Sequence, residues 1–184
     1  MHPQQQIFCL NVKLKFFPEY VPFHNARVLD CGSRDINGTN RFLFHNTEYF
    51  GADMYPGPNV DVVCPTHELT YPDNSFGCVI CTEVLEHDPH WKDSIANMIR
   101  MLKPGGVLII TCAGPERGAH SMHQEGGLTE GEYYGNLDFS GIQECWNNAT
   151  GNSLKKDIEM GRARKDIYFW GIKPEEGLDD SKRE

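Results

Sequence analysis

Two aspartates, four histidines and a lone glycine carry most of the chemical information in this chain. Asp30 closes the short apolar run Val28-Leu29 and is followed by Cys31 and Gly32. Asp53 closes the next apolar run, Tyr49 to Ala52. An apolar run ending in an acid and then a glycine is how a buried parallel strand reads where it opens into a ligand-binding turn. Two acids at the carboxyl ends of neighbouring strands can hold the two ends of one nucleoside ligand. Further along, His87 and His90 form an H-x-x-H beside Asp88, and His120 and His123 form another. Imidazoles can take a proton near neutral pH or bind a metal.

The glycines narrow the ligand. A dinucleotide site wants three glycines at G-x-G-x-x-G spacing, because backbone must press against a pyrophosphate. Here Gly32 stands alone until Gly38. A cofactor with an adenosine and an amino acid but no phosphate relaxes that demand, and S-adenosyl-L-methionine is one. Asp30 or its neighbouring backbone would face the cationic methionine end, and Asp53 would take the ribose hydroxyls.

The elements that must position these groups alternate along the chain. Val60–Cys64 and Phe76–Thr82 read as a third and a fourth strand. Ile95, Met98, Ile99 and Leu102 share one helical face within Ser94–Lys103, and Lys103-Pro-Gly-Gly106 should end that helix. Val107–Thr111 reads as a fifth strand. Phe139–Ala149 reads as a helix, and Leu154–Met160 with Asp166–Ile172 as a terminal strand pair. Near the start, Ile7, Leu10, Leu14 and Phe17 suggest an amphipathic helix covering one sheet edge.

Taken in order, Val28–Gly32, Tyr49–Asp53, Asp73–Phe76, Thr82–His87 and Met101–Leu108 resemble the class I S-adenosylmethionine-dependent methyltransferases, and most closely their type 11 branch. The resemblance spans roughly residues 26 to 115. It implies a Rossmann-like, doubly wound α/β fold: a mostly parallel seven-stranded sheet with an antiparallel terminal strand. It divides the chain into an N-terminal segment (1–25), a methyltransferase domain (26–174) and a loose tail (175–184). It places the cofactor on Asp30, Cys31, Gly32 and Ser33, on Asp53 and Met54, on Thr66, His67 and Glu68, and on Thr82, Glu83 and Val84. His87 and then His120 are the residues implied for catalysis. With the ordinary histidine pKa near 6.5, a base at His87 should lose activity below about pH 6.5. One departure concerns adenine. The acid that the family sets before this stretch is Pro65 here, so backbone groups with Thr66, His67 or Glu68 must hold the base.

Composition bounds the partners. A formal charge of −9 argues against extended contact with nucleic-acid phosphates or anionic membranes. Without a long apolar run or a leader pattern, a cytoplasmic protein is expected. Cys78 and Cys81 form a C-x-x-C, but residues three apart on a strand face opposite sides. The seven cysteines therefore read as buried free thiols, with no metal expected. His120 and His123 lie in a glycine-rich loop after the fifth strand, and Tyr133-Tyr134 could line an acceptor pocket. The function expected is methyl transfer to a small-molecule or glycan/metabolite acceptor. A methyltransferase-fold binding protein with weak or no activity is an alternative, and a nucleotide-dependent oxidoreductase is disfavoured by the sparse glycines. The acceptor and the oligomeric state are not legible.

Overall fold

The computed structural model describes residues 3–123, 126–151, 156–160 and 165–175. Its strands are β1 (Arg27–Cys31), β2 (Glu48–Asp53), β3 (Val62–Val63), β4 (Phe76–Thr82), β5 (Leu102–Ala113), β6 (Lys156–Met160) and β7 (Asp166–Ile172). They form one sheet in the order β3-β2-β1-β4-β5-β7-β6. The first five run parallel, and β7 is antiparallel to both β5 and β6. The expected α/β sheet with its antiparallel terminal strand is therefore present. Parallel strands align their carboxyl ends, so Asp30, Asp53 and Thr82 emerge at one edge.

Both sheet faces are covered, which is why β1 and β4 are nearly continuous apolar runs. Helices α2 (Trp91–Met101) and α3 (Phe139–Thr150) cover one face. There Ile95, Met98 and Ile99 join Ile142 and Trp146 over Leu29, Val79, Cys81 and Ile110. Helix α3 begins where Asp138 accepts a hydrogen bond from the Gly141 amide, and stops at Gly151 in the left-handed region. Helix α1 (Pro3–Leu14) covers the opposite face, setting Phe8, Cys9 and Val12 on Val28, Cys78, Ile80 and Ile109. Cys78 and Cys81 thus fall on opposite sides of the sheet, as strand alternation requires.

Two expectations are corrected. The N-terminal helix covers a sheet face and not an edge, and it buries the opposite stripe from the one read in the sequence. Gln5, Phe8, Cys9 and Val12 are inside, whereas Ile7, Leu10, Leu14 and Phe17 are exposed. The helix has two apolar stripes, and the buried one carries Phe8, whose ring stacks on Tyr168 at 5.1 Å. The second correction concerns Lys103–Gly106, which belongs to the start of β5. Helix α2 stops at Met101, and the pairing jumps from Phe76↔Leu102 to Cys78↔Val107. The intervening residues bulge, as one residue on β4, Gly77, faces four on β5, Lys103–Gly106. The Lys173 ammonium secures this corner by donating to the carbonyls of Ile99 and Leu102 at 2.9 and 2.7 Å.

No α-helix follows Gly32. The link from β1 to β2 holds only a 3-10 turn, Asn40–Leu43, and β2 to β3 has no helix. The turn after β1 is thereby left to loops. The expected tail beyond residue 175 lies outside the described residues. No described helix is long and apolar enough to cross a membrane.

Candidate active site

A cavity of about 690 Å³ opens at the carboxyl ends of the parallel strands. That is room for one cofactor-sized ligand and a small neighbour. Its floor is the turn after β1. Gly32 sits at φ +81°, and a Cβ there would stand 2.0 Å from Val84 Cγ2. Only glycine lets this turn pass beneath the loop after β4. The Gly32 and Ser33 amides both donate to the Ala52 carbonyl, at 2.8 and 3.1 Å, tying the turn to β2.

Asp30 is buried at the cavity floor. One carboxylate oxygen accepts from the Tyr49 hydroxyl, and the other, Oδ1, has no partner. Burial pushes its pKa up to about 7, against the pull of the Tyr49 hydrogen bond and of Arg41. Asp53 accepts from the Arg34 and Tyr55 amides at 3.3 and 2.9 Å, at the rim of the same cavity.

The turn after β3 forms the far wall, where Pro65, Thr66 and His67 line the space. Helix α2 holds this turn in place. Asn97 donates to the carbonyls of Thr66 and Leu69 at 2.8 and 3.0 Å, and Arg100 donates to those of Leu69 and Tyr71. His67 Nδ1 is buried without a partner, and its ring packs on His90 at 4.4 Å.

The end of β4 closes the site. Glu83 has φ +57°, a left-handed conformation uncommon for a residue with a side chain. It is held by its amide donating to the Thr111 carbonyl and by its carboxylate accepting from the Thr111 hydroxyl, both at 2.8 Å. A 3-10 turn, Leu85–His87, follows, and its Glu86 and His87 are buried. The loop after β5 folds over them. The Gly135 amide donates to the Glu86 carbonyl, and Asn136 bridges the carbonyls of Gly114 and Arg117. Glu132 accepts from Ser121 and from the Met122 and Thr129 amides, which holds its pKa down to about 2.

The sequence-predicted residues divide clearly. Gly32, Ser33, Asp30, Asp53, Met54, Thr66, His67, Thr82, Glu83, Val84, His87 and His120 all line the cavity. Cys31 does not, since its side chain is fully buried in the core under α2, because alternation turns it to the sheet face. Glu68 points outward, with 63% of its side chain exposed beside His67.

The histidine motifs are split. His87 meets His120 at 5.2 Å between ring centroids, His90 meets His67, and His123 meets Tyr55 at 4.8 Å. Neither H-x-x-H acts as a pair. Neither Tyr133 nor Tyr134 is among the cavity-lining residues, and Tyr134 instead packs on both His87 and His120, at 5.4 and 5.1 Å. Burial, then the nearby His120, lowers the His87 pKa to about 4, against the opposing pull of the Tyr133 carbonyl, Glu132 and Glu83. The sequence-based value near 6.5 is corrected accordingly: the imidazole is neutral across the physiological range.

Three contributors were not foreseen. Gln5 reaches the cavity from α1, fully buried, with neither amide atom partnered. Asn40 lines the same side and donates to the Thr82 hydroxyl at 2.9 Å. Arg117 lines the opposite mouth and pairs with Asp166 at 2.5 Å. Gln5 and Asn40 precede or follow β1 without a motif, and only the fold brings them to Asp30.

The fold matches those of known proteins. Residues 44–110 match the family model described as a methyltransferase domain. This is a class I methyltransferase fold. The methyltransferase-fold chain is 15% identical to the Burkholderia thailandensis 1,6-didemethyltoxoflavin N1-methyltransferase, solved with S-adenosylhomocysteine. That comparison has a TM-score of 0.62 and covers 93% of this chain and 78% of the other. The Haemonchus contortus phosphoethanolamine N-methyltransferase 2 gives 0.61 at 17% identity, covering 90% and 53%. The [4+2]-cyclase SpnF gives 0.63 at 16% identity, covering 92% and 81%. By sequence, the ubiquinone/menaquinone biosynthesis C-methyltransferase of Pseudomonas fluorescens Pf0-1 is 40% identical over 59 residues. The match spans 32% of the methyltransferase-fold chain and only 23% of that relative.

Proposed function

We propose that this protein binds S-adenosyl-L-methionine in the strand-end cavity and methylates a small-molecule or metabolite acceptor held against His87 and His120. The observation that carries the reading is the pair Asp30 and Asp53, on adjacent parallel strands and facing one cavity. The cavity fits the cofactor chemically. Asp30 Oδ1 and both Gln5 amide atoms are buried donors and acceptors without partners, next to the glycine turn. Buried polar groups left so are costly unless a ligand completes them. An ammonium and a carboxylate at the methionine end would do so, with Asn40 beside them. Asp53, at the rim, would take two vicinal hydroxyls. Thr66 and His67 would hold the adenine edge, with His67 Nδ1 taking the role of the missing acid.

Bound there, the cofactor supplies a methyl group on a cationic sulfur, already activated for transfer. The chain's own residues orient and shield. The loop after β5 lines the pocket with His120, Ser121 and Met122 and would shield the bound pair from water. Neutral His87 can accept a proton where the acceptor must lose one. Holding the acceptor in line with the methyl group supplies much of the remaining acceleration.

Calorimetry with S-adenosylmethionine, S-adenosylhomocysteine and NAD tests the cofactor, and binding of NAD alone would overturn the proposal. A mass search for a methylated product in extract incubated with the protein then seeks the acceptor. A second reading is a binding protein, or an enzyme for another reaction, on the same fold. Pro65 favours it, and the cyclase among the structural neighbours demonstrates that the fold does not fix the chemistry. Cofactor binding without turnover across the acceptor panel would select it.

A further inference from the structure

The acceptor end of the cavity holds a donor set that the proposed methyl transfer does not by itself require. Glu86, His87 and His120 each place one ligand atom within 4.8 Å of the other two. Two of the three are deep inside: Glu86 is fully buried, and His87 is 7% exposed. Among the described residues neither Glu86 carboxylate oxygen meets a donor in hydrogen-bond geometry, and His87 Nδ1 has no partner. A carboxyl group sealed from water with both oxygens idle is rare, since each unmade bond costs roughly 1–3 kcal/mol. Among the described residues no lysine or arginine is hydrogen-bonded to it.

His120 is already oriented as a ligand. Its Nδ1 lies 3.2 Å from the Gly118 carbonyl, which can only accept, so Nδ1 donates there and Nε2 is the nitrogen left for a ligand. A backbone carbonyl fixing the far nitrogen is the common support of a metal-bound imidazole. Tyr134 packs on both imidazoles and also donates its hydroxyl to the Gly118 carbonyl, at 3.3 Å.

We infer that Glu86, His87 and His120 form a divalent transition-metal site, suited to zinc, whose open position faces the acceptor. Two imidazoles and one carboxylate with a vacant fourth position is the donor set of catalytic zinc. Tetrahedral zinc with bonds of about 2.0–2.2 Å sets its ligand atoms about 3.4 Å apart. The site must therefore close by at most about 1.4 Å, from a limit of 4.8 Å. His120 can supply that movement, because it sits on the loop after β5 while Glu86 and His87 sit in the turn after β4. His87 and His120 line the cavity, and Glu86 lies beneath them.

The site's role rests on the methyltransferase reading. A hydroxyl or thiol acceptor bound to the metal becomes more acidic, loses its proton to water and presents an anion to the cofactor. His87 then serves as ligand, and no protein base is required. The chemical class of acceptor narrows to molecules carrying a metal-binding oxygen or sulfur.

The test uses the full chain with Co2+ as a spectroscopic probe of a zinc-type site, followed by competition with Zn2+. One equivalent of Co2+ with an intense tetrahedral visible spectrum, displaced by Zn2+, is expected. Glu86→Gln keeps the buried volume, and His120→Ala alters only a half-buried loop residue. Each should weaken the metal by more than about tenfold, at least the loss seen for removing an outer-shell partner. Absence of stoichiometric metal in the wild type, or wild-type affinity in both variants, overturns the inference. Calorimetry with S-adenosylhomocysteine on the same samples reports on the cofactor site alone, so failure of one reading is distinguishable from failure of the other.

Discussion

Gly32→Ala probes the most constrained backbone in the cofactor turn. Two costs add. A residue with a Cβ in the left-handed region costs about 1–2 kcal/mol. The new Cβ would also stand 2.0 Å from Val84 Cγ2 and 3.3 Å from Val84 Cβ, so Val84 or the turn must move. Overpacking of this kind costs about 1–3 kcal/mol. The sum, about 2–5 kcal/mol, is a large part of the stability of an ordinary domain. At roughly 2–4 °C per kcal/mol for a chain of this size, Tm should fall by roughly 4–20 °C. The partner variant separates the two costs. Val84→Ala removes Cγ2, so Gly32→Ala/Val84→Ala should recover the steric part and keep the backbone part. Urea denaturation of the four proteins gives a coupling of about 1–3 kcal/mol if the contact is real. Additivity within about 0.5 kcal/mol would refute the packing argument, whatever the single variant does.

Asp53→Ala should weaken S-adenosylhomocysteine by roughly ten- to a hundredfold, the worth of about 1.5–3 kcal/mol for hydrogen bonds to a charged group; unchanged calorimetry would remove Asp53 from the ribose. Gln5→Met should leave Tm equal or higher, because it removes an unpartnered buried amide, yet weaken S-adenosylhomocysteine several-fold; equal affinity would make Gln5 a bystander. Asp30 gives a pH signature. Its folded pKa is raised from 3.8 to about 7, so the native state holds the proton more tightly and its contribution to stability declines as pH rises from about 4 through 7. Asp30→Asn should therefore gain Tm relative to wild type between pH 4 and pH 8, and parallel profiles would contradict the burial argument. With an acceptor in hand, His87→Ala should lower turnover on the order of 10²-fold while cofactor affinity changes little; normal turnover would exclude His87 from the chemistry.

How much of this was legible follows from the range of each signal. Strands β1, β2 and β4 announce themselves because a strand buried on both faces must be apolar along its length, and the acid or polar group that ends it marks the ligand edge. Asp30, Asp53 and Thr82 were found that way. Cys31 was misplaced because proximity to a motif says nothing about the face a side chain takes, and alternation turns it into the core. The stripe of α1 was inverted for a related reason. Ile7, Leu10 and Leu14 are as apolar as Phe8, Cys9 and Val12, and the choice was made by the shape of the sheet face, where Phe8 finds Tyr168. That rotation also sends Gln5 into the strand-end cavity, so one ambiguity hid both a packing face and a cavity-lining residue.

The histidines extend the point. Spacing invites the pairing of His87 with His90 and of His120 with His123, yet each pair is broken by the turn that contains it. Asp88 draws the His90 amide to its carboxylate at 2.7 Å as α2 begins, and His90 leaves toward His67. The Ser121 hydroxyl accepts from the His123 amide, and His123 turns to Tyr55. What remains facing inward is one histidine from each motif, His87 and His120, joined across the loop by Tyr134 and underlain by a buried carboxyl group with no side-chain donor among the described residues. Short-range spacing described the wrong pairs because turn hydrogen bonds decide which way each ring departs. The combination of two imidazoles and a buried acid exists only in three dimensions, at the point where the proposed acceptor would lie.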